Sequence, residues 1–316
     1  MNVFRGSTQF SVRPACALSI GNFDGVHRGH RTLLKQLQSG AQERGLESCV
    51  LTFEPHPKEF FSAEQAPPRI LNLRDKLAAF AKVGIDRVVV EHFNSAFARL
   101  SADEFVSEIL VKQLNAKWVL IGDDFCYGAK RVGNFASLKA AGEQYGFEVS
   151  SIDTVLEDGE RISSSALRDA LANGNMELVT KLLGRPYGIS GHVIHGQKLG
   201  RQLGFPTLNL AVANHLHHRK PATSGIFTAQ VIGLSENPLP AVASLGVRPT
   251  VEDQGRVLLE THLFDFNQEV YGKIITVELL EKIRDEAKYA DLDTLTQAIA
   301  SDAAHARNYF KKKEYV

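Results

Sequence analysis

The chain has 316 residues, of which 44% are hydrophobic and 23% charged, a composition typical of a globular protein of about two domains. Its 36 basic and 36 acidic side chains cancel, which argues against a long nucleic-acid-binding face and leaves room only for a local basic patch. The three cysteines form no CxxC pair, and no stretch has the ~20 apolar residues of a membrane span or the apolar core of a signal peptide. We therefore expect a cytoplasmic protein without a nucleic-acid or membrane partner.

Short apolar runs alternate with amphipathic segments in the first half. Strands are predicted at 15–21, 48–53, 87–92, 117–122 and 147–152. Helices are predicted at 29–44, 72–82, 101–110, 137–145, 164–172 and 176–183. Strands that alternate with helices indicate an α/β fold, a doubly wound parallel sheet of the Rossmann-like kind with helices on both faces. Ligands of such sheets bind at the carboxyl ends of the strands.

The pattern changes near Gly184. From there to about Arg284, glycine and proline separate strands predicted at 188–194, 207–212, 225–232, 241–245, 257–264 and 273–280. Closely spaced strands of this kind predict an antiparallel β-barrel, and a helix is expected at 292–310. The fold class is therefore α/β plus β, with domains expected at 1–184 and 185–316.

Two histidines follow the first predicted strand, in the string GNFDGVHRGH at 21–30. A helix begins within this string, so His27 and His30 lie where unpaired backbone N–H groups and the positive helix end form an anion site. The alternative is a pair of surface histidines beside a glycine turn. Asp24 is either part of the site or a turn residue.

A second string, RISSSALR at 161–168, places Ser164 and Ser165 at a helix start and Arg168 one turn later. On its own, this string indicates only a serine N-cap.

Aromatic residues follow two other predicted strands of the first half. The strings are TFEPHP at 52–57, which precedes Phe60 and Phe61, and GDDFCYG at 122–128. Both strings reach the ligand edge of the sheet, where aromatic rings could stack on a planar ligand. For Phe60 and Phe61, a place in the hydrophobic core is the alternative.

The second half contains a glycine-rich basic string, GHVIHGQKLGRQLGFPTLN, at 191–209. A phosphate-binding P-loop is excluded because Gln197 stands where that motif requires lysine. A plain barrel loop would explain the glycines. Further along, Glu260 is a lone acid among leucines, and the alternative for it is an ordinary solvent-facing strand residue.

Together these strings resemble the bifunctional riboflavin kinase/FAD synthetase family over nearly the whole chain. Its first half is similar to the nucleotidyltransferases that carry HxGH. The resemblance implies that FMN attacks the α-phosphorus of ATP and that His27 and His30 bind the phosphates and stabilise charge. It implies further nucleotide contacts at Gly21, Asn22, Phe23, Asp24, Gly29, Arg161, Ser164, Ser165 and Arg168. It implies flavin contacts at Phe53, Pro55, Pro57, Phe61, Asp124, Phe125 and Tyr127.

For the second half, the resemblance implies phosphorylation of riboflavin to FMN, with Glu260 as the general base. Thr207 and Asn209 would bind Mg²⁺, whose preferred ligands are oxygens. Gly196, Lys198 and Gly204 would form the ATP loop, and Arg284 and Glu286 would lie at the flavin. ATP, riboflavin, FMN and FAD are then the substrates and products, with an unknown oligomeric state. Two rival hypotheses are an enzyme with one inactive half and a non-catalytic flavin or nucleotide sensor that could also bind RNA.

Overall fold

The computed structural model of the chain describes residues 1–7, 14–152, 156–157, 160–196, 199–211, 221–247 and 257–314. Lys198 and Val212, the first a predicted ATP-loop residue and the second a predicted strand end, lie outside these residues. The chain folds into two compact units. The first comprises Met1–Pro67 and Lys76–Ser163, and the second comprises Pro68–Asp75 and Ser164–Val316.

The first unit is built from a parallel sheet and its helices. Its strands are β1 (Asn2–Arg5), β2 (Cys16–Ile20), β3 (Glu47–Glu54), β4 (Arg87–His92), β5 (Ala116–Gly122) and β6 (Glu148–Ile152), followed by the short antiparallel pair β7 (Leu156–Glu157) and β8 (Glu160–Arg161). Its helices are α1 (Arg28–Glu43), α2 (Pro57–Phe61), α3 (Leu73–Val83), α4 (Ser95–Ala98), α5 (Ala102–Glu104) and α6 (Phe135–Tyr145). A π-helical segment, Phe105–Gln113, continues α5. The first three residues of α3 belong to the second unit.

The strand order of the large sheet is β1-β4-β3-β2-β5-β6, and every neighbouring pair is parallel. The order reverses at β2, which lies between β3 and β5 and is buried along its whole length. Ligands of doubly wound sheets bind outside the strand ends at such a reversal. The loop that leaves β2, residues 21–27, therefore occupies the expected position, and the predicted α/β fold is confirmed.

Helix α1 carries the two histidines at its start and packs on β2, β3 and β5. It lies close to the sheet at Gly40, where an added Cβ would lie 2.5 Å from the Trp118 ring. The indole is fixed in place because its Nε1 donates to Ser150 Oγ at 3.0 Å and Arg44 covers its face at 4.2 Å. The small residue at position 40 thus sets how closely the site-bearing helix lies against the sheet.

The second unit is a closed antiparallel barrel with two helices before it, one between its first two strands and one after it. The helices are α7 (Ser164–Ala172), α8 (Met176–Leu183), α9 (Leu199–Gln202) and α10 (Leu292–Glu314). The strands are β9 (Tyr187–Ile194), β10 (Leu208–Ala211), β11 (Gly225–Ile232), β12 (Leu239–Val247), β13 (Val257–Leu263) and β14 (Ile274–Arg284). Around the barrel their order is β10-β13-β12-β11-β14-β9. The predicted barrel and terminal helix are confirmed.

Alternation along β13 separates the barrel core from its outer face. Leu259 and Thr261 are fully buried, whereas Glu260 and His262 are half-buried on the opposite side of the strand. Helix α10 packs on β11 and β12. Its Ala303 and Ala306 are buried in one cluster with Val242 of β12 and Phe264. Glu260 and His262 therefore lie on the outside of the barrel.

Replacement of Gly40 by alanine tests how α1 is docked. Although alanine favours the helix by about 1 kcal/mol, overpacking against the fixed indole typically costs about 1–3 kcal/mol, so we expect the free energy of unfolding to fall by roughly 1 kcal/mol. Trp118 is the single tryptophan and lies in the first unit, so its fluorescence during urea unfolding reports on this unit. Ser39→Ala, at an exposed position of the same helix, should change stability by less than about 0.5 kcal/mol. Equal stability of the two variants would contradict the packing argument.

Candidate active sites

His27 and His30 form a stacked pair at the start of α1. His27 is the N-cap residue, and its Nδ1 accepts the backbone N–H of His30 at 3.3 Å. The ring centroids are 3.7 Å apart and the planes differ by 16°. Because Nδ1 acts as an acceptor, a neutral His27 carries its proton on Nε2 and is a hydrogen-bond donor there. The first turn of α1 contains no acidic residue, so no carboxylate of its own offsets the positive helix end.

His30 is held in its neutral form. Burial lowers the pKa of His30 well below its ordinary value, and the neighbouring His27 and the ammonium group of Lys76 lower it further. The His30 Nδ1 atom is buried, and none of the described residues forms a hydrogen bond with it. A neutral imidazole can both donate and accept hydrogen bonds, so His30 has a polar atom available for a ligand.

The loop between β2 and α1 has an unusual backbone. Phe23, Gly25 and Val26 have φ angles of 48°, 91° and 40°. For phenylalanine and the β-branched valine, this left-handed region is strained, and such residues concentrate at functional sites. The loop also brings Gly29 against the His27 ring, where an added Cβ would lie 3.3 Å from ring atoms.

Buried side chains fix the start of this loop. Lys76 Nζ donates to the carbonyl oxygen of Asn22 at 2.8 Å, and Thr52 Oγ1 donates to the same oxygen at 3.3 Å. Asn22 Oδ1 is buried without a hydrogen-bond partner among the described residues. The Phe23 ring packs edge-on against His30, and Asp24 is 5% exposed. The predicted residues 21–30 therefore form one continuous wall, to which Lys76 adds a cation that the sequence did not single out.

The aromatic residues among the predicted flavin contacts of the first unit belong to a continuous run of rings. Neighbouring centroids are 5.3–6.1 Å apart along Phe61, Phe60, Phe93, Phe53, Phe97, Phe105, Tyr127 and Phe125. Phe61 is 69% exposed, so a place in the core is wrong for this residue, whereas Phe60 is half-buried. Pro55 follows a cis peptide bond, and Pro57 begins α2. The run ends in an exposed aromatic surface suited to a planar ring.

Two residues predicted for different ligands meet in the first unit. Arg161 donates to Asp124 Oδ2 at 2.7 Å and lies 3.8 Å from Asp123. Asp124 therefore accepts a charged hydrogen bond.

Ser164, Ser165 and Arg168, in contrast, belong to the second unit, in the first turns of α7. There the Arg168 guanidinium donates to the carbonyl oxygens of Pro68 and Ser164 at 3.0 and 3.3 Å.

In the barrel, strand register gathers the residues predicted for the kinase. Asn209 of β10 lies directly opposite Glu260 of β13, and Ser244 of β12 lies opposite Glu260 on its other side. Directly opposed residues of antiparallel strands place their side chains on the same face, with Cβ atoms about 5 Å apart. His262 lies two residues further along β13. Its Nδ1 donates a hydrogen bond to the Pro206 carbonyl oxygen at 2.8 Å, because a carbonyl oxygen can only accept.

A cavity of about 700 Å³ opens beside Glu260. One side is the outer face of the barrel and the other is α10, which contributes Leu292, Leu295, Ile299 and Asp302. Thr207, Glu260, Arg284 and Glu286 also line it. The volume and the mixture of apolar walls with a few polar groups suit a ligand of the size of a drug or cofactor.

Asn209 combines burial with an unused acceptor. It is 4% exposed, and its Oδ1 has no hydrogen-bond partner among the described residues. An added Cβ on Gly196 would overlap the Asn209 amide, so a glycine is needed there. Gly204, with φ of 85°, turns the chain after α9 towards Thr207. Both glycines therefore have a structural reason for their positions in this predicted loop.

Charged residues at the far end of β14 line the same cavity. Asp302 of α10 binds Arg284 through two hydrogen bonds, and this pairing raises the pKa of the guanidinium. Partial burial raises the pKa of Glu286, and repulsion from Glu260 raises it further. An added Cβ on Gly246 would overlap the Glu286 carboxylate, so this carboxylate lies directly on β12.

Comparison with known proteins identifies both halves. The family model for FAD synthetase matches residues 10–166, and that for riboflavin kinase matches residues 183–310. A bifunctional riboflavin kinase/FMN adenylyltransferase from Escherichia coli is 46% identical over 98% of each chain. One of the same description from Haemophilus influenzae is 44% identical over 95% of this chain and 96% of its own. The chain belongs to the bifunctional riboflavin kinase/FMN adenylyltransferase family.

It is therefore a transferase of FAD biosynthesis, which phosphorylates riboflavin to FMN and adenylylates FMN to FAD. A solved structure with a TM-score of 0.78 and 29% identity covers 97% of this chain and 99% of its own; it is described as a macrolide-efflux protein from Streptococcus pneumoniae. Among the residues that the structure describes, no helix has the length and apolar character needed to cross a bilayer.

Several residues that lie at the candidate sites were not predicted from the sequence. Phe93 and Phe97 follow a predicted strand, as the recognised aromatic strings do. Their position after this strand could have predicted that they lie at the ligand edge of the sheet. Lys76 and Asp302 lie on predicted helices, where a charged residue is expected on the solvent side, yet each is 5% exposed. No local pattern distinguishes them from surface residues.

The lowered pKa of His30 predicts a pH-dependent stability of the first unit. The folded state keeps the imidazole neutral, whereas the unfolded chain takes up a proton near pH 6.5. Below about pH 6.5 the unfolded state binds more protons, so stability should fall by up to about 1.4 kcal/mol per pH unit, with no effect above that range. Urea unfolding followed by Trp118 fluorescence should therefore show that the free energy of unfolding falls more between pH 7.5 and pH 5.5 in the wild type than in His30→Asn. Equal losses would mean that His30 is protonated in the folded chain.

Proposed function

We propose that Glu260 is the general base of the kinase reaction. The carboxylate would take the proton of the ribityl 5′-hydroxyl as that oxygen attacks the γ-phosphorus of ATP. The observation that carries the proposal is the strand register, which places Glu260 between Asn209 and Ser244 at the wall of the cavity. His262 supports the geometry, because its hydrogen bond to the Pro206 backbone ties β13 to the segment that leads to Thr207.

Thr207 and Asn209 are the residues that would hold Mg²⁺ in this site. The unpartnered, buried Asn209 Oδ1 and the nearby threonine hydroxyl are oxygen donors, which suit Mg²⁺ together with phosphate oxygens and water. When bound, the ion would neutralise charge on the phosphates. Gly196, Gly204 and the predicted Lys198 would form the loop over ATP, and Arg284 and Glu286 would lie at the flavin.

For the adenylyltransferase, we propose that His27 and His30 bind the phosphates of ATP. The phosphate of FMN would attack the α-phosphorus and pyrophosphate would leave, without a covalent enzyme intermediate. His27 would donate from Nε2, and the positive end of α1 would further stabilise the developing negative charge. Asn22, with its unpartnered Oδ1, and Lys76 would complete the polar wall.

The other predicted contacts are supported by the family resemblance and by local geometry. The exposed end of the aromatic run, at Phe61, would receive the flavin ring, with Asp124 and Arg161 acting as a pair. Ser164, Ser165 and Arg168 stay predicted triphosphate contacts.

The family models support a boundary between the two activities near residue 184, although α7 and α8 fold with the second unit. The three free cysteines accord with action in the cytoplasm.

Glu260→Gln tests the assignment of the general base. Because glutamine keeps the shape and cannot accept the proton, riboflavin phosphorylation should fall by roughly 10²–10⁴. FAD formation from supplied FMN should continue at the wild-type rate, and both products can be separated by chromatography. Glu269→Gln, the same change at an exposed residue outside the cavity lining, is the control and should leave both rates unchanged. A parallel loss of both activities in Glu260→Gln would refute the assignment.

His27→Asn separates capping from chemistry at the adenylyltransferase site. Asparagine is a good N-cap, so it can accept the His30 N–H and preserve α1 while removing the imidazole. FAD formation should fall by roughly 10²–10³, the effect of losing one donor to transition-state charge. Riboflavin should still be converted, so FMN should accumulate. Wild-type FAD synthesis by a normally folded His27→Asn protein would confine His27 to the role of a helix cap.

A further inference from the structure

We propose that Asp302 is a positioning residue of the kinase reaction. It holds the guanidinium of Arg284 in the cavity wall, so that Arg284 donates hydrogen bonds to the carbonyl edge of the riboflavin ring. This inference rests on the proposed function, in which the cavity beside Glu260 is the riboflavin site.

The contact between the two residues leaves Arg284 little freedom. Arg284 Nε donates to Asp302 Oδ1 at 2.9 Å, and a terminal nitrogen donates to Oδ2 at 2.5 Å. The other terminal nitrogen donates to the Asp285 carbonyl at 3.0 Å. A guanidinium has five N–H groups in a rigid plane, so one on each terminal nitrogen has no acceptor among the described residues. These two donors are fixed in a residue that lines the cavity.

The charge of the pair indicates what those donors bind. Asp302 is 5% exposed, and its carboxylate neutralises the guanidinium, so the pair as a whole is uncharged. A phosphate gains most from an uncompensated cation, whereas a neutral carbonyl oxygen gains from a hydrogen-bond donor of any charge. The riboflavin ring is uncharged and has carbonyl oxygens along one edge. We therefore assign Arg284 to the ring and not to a phosphate group.

Packing of α10 determines where Asp302 lies. The next residue, Ala303, and Ala306 are buried against Val242 and Phe264, which sets the depth of the helix on the barrel. Leu295 and Ile299 of the same helix line the cavity. Asp302 is therefore a charged residue in a wall that is otherwise apolar along α10, and its orientation is supported by the fold, as preorganised binding groups require.

The test is a double-mutant cycle of Asp302→Asn and Arg284→Gln. Asp302→Asn should raise the KM for riboflavin by about tenfold to a hundredfold, the range for a lost hydrogen bond to a charged group. The kcat of the kinase and the KM for ATP should change by less than about threefold. If Asp302 acts through Arg284, adding Asp302→Asn to Arg284→Gln should raise the KM for riboflavin by less than about twofold more. The proposal is overturned if Asp302→Asn raises the KM for riboflavin by the same factor in the wild type and in Arg284→Gln.

Asp265→Asn is the matched control. Asp265 pairs with Arg307 of α10 at 3.1 Å and so helps to dock the same helix, but it is outside the cavity lining. It should leave the KM for riboflavin unchanged. If Asp302→Asn raises this KM no more than Asp265→Asn does, Asp302 has only a docking role and the proposal fails.

A second variant decides the matter if Asp302→Asn does not fold. Arg284→Lys keeps a cation beside Asp302 but lacks the planar fork, so it should raise the KM for riboflavin with little change in kcat. An unchanged KM would overturn the proposal. Failure of the proposed kinase site can be told apart from failure of the proposed role of Asp302. If the site itself is wrong, Glu260→Gln leaves the kinase active. A lower kcat in Glu260→Gln with an unchanged KM in Asp302→Asn would remove only the role of Asp302.

Discussion

The register of three antiparallel strands is the constraint on which the kinase site depends. It brings Asn209 and Ser244 to either side of Glu260, on the face of the barrel that α10 covers. A slip of one residue would turn Glu260 inwards, to the side where Leu259 and Thr261 are now buried. An ionised carboxylate in that core without a partner would be far more costly than the loss of any single apolar contact. The core pattern of β13 therefore enforces the placement of the base.

The two sites use opposite electrostatics for related chemistry. The site at α1 combines the positive end of a helix, two imidazoles and the buried ammonium group of Lys76. The barrel cavity is instead lined by several carboxylates, among them Glu260 and Glu286. Partial burial raises the pKa of Glu286, and repulsion from Glu260 raises it further. The difference follows from the tasks proposed for each. One site must stabilise charge that develops on phosphate, whereas the other must remove a proton from an uncharged alcohol.

Local patterns in the sequence predicted most helices and strands, but not which distant residues contact one another in the fold. Strands such as β4 and β11 and helices α7 and α8 could be predicted because their apolar periodicity is unbroken and bounded by turn residues. Strand β1 was missed because its four residues are too few for a pattern, and it gains stability from pairing with β4, far along the chain. The site motifs were recognisable as strings, yet the contacts of Lys76 with Asn22 and of Arg284 with Asp302 arise only from tertiary packing. A sequence states that a residue is charged, but not that it is buried.

Buried charges of this kind are better explained by function than by stability. Removing the Asp302 carboxylate and part of the Arg284 side chain from water offsets much of their attraction. This partly buried ion pair therefore adds little net stability over an apolar pair of similar size. Stability alone therefore gives no reason to place Arg284 and Asp302 in a wall that Leu295 and Ile299 otherwise form. What the pair provides is a guanidinium of fixed orientation and compensated charge. Such a group can distinguish the polar edge of a flat ring from its apolar remainder, which a wall of leucine and isoleucine cannot do.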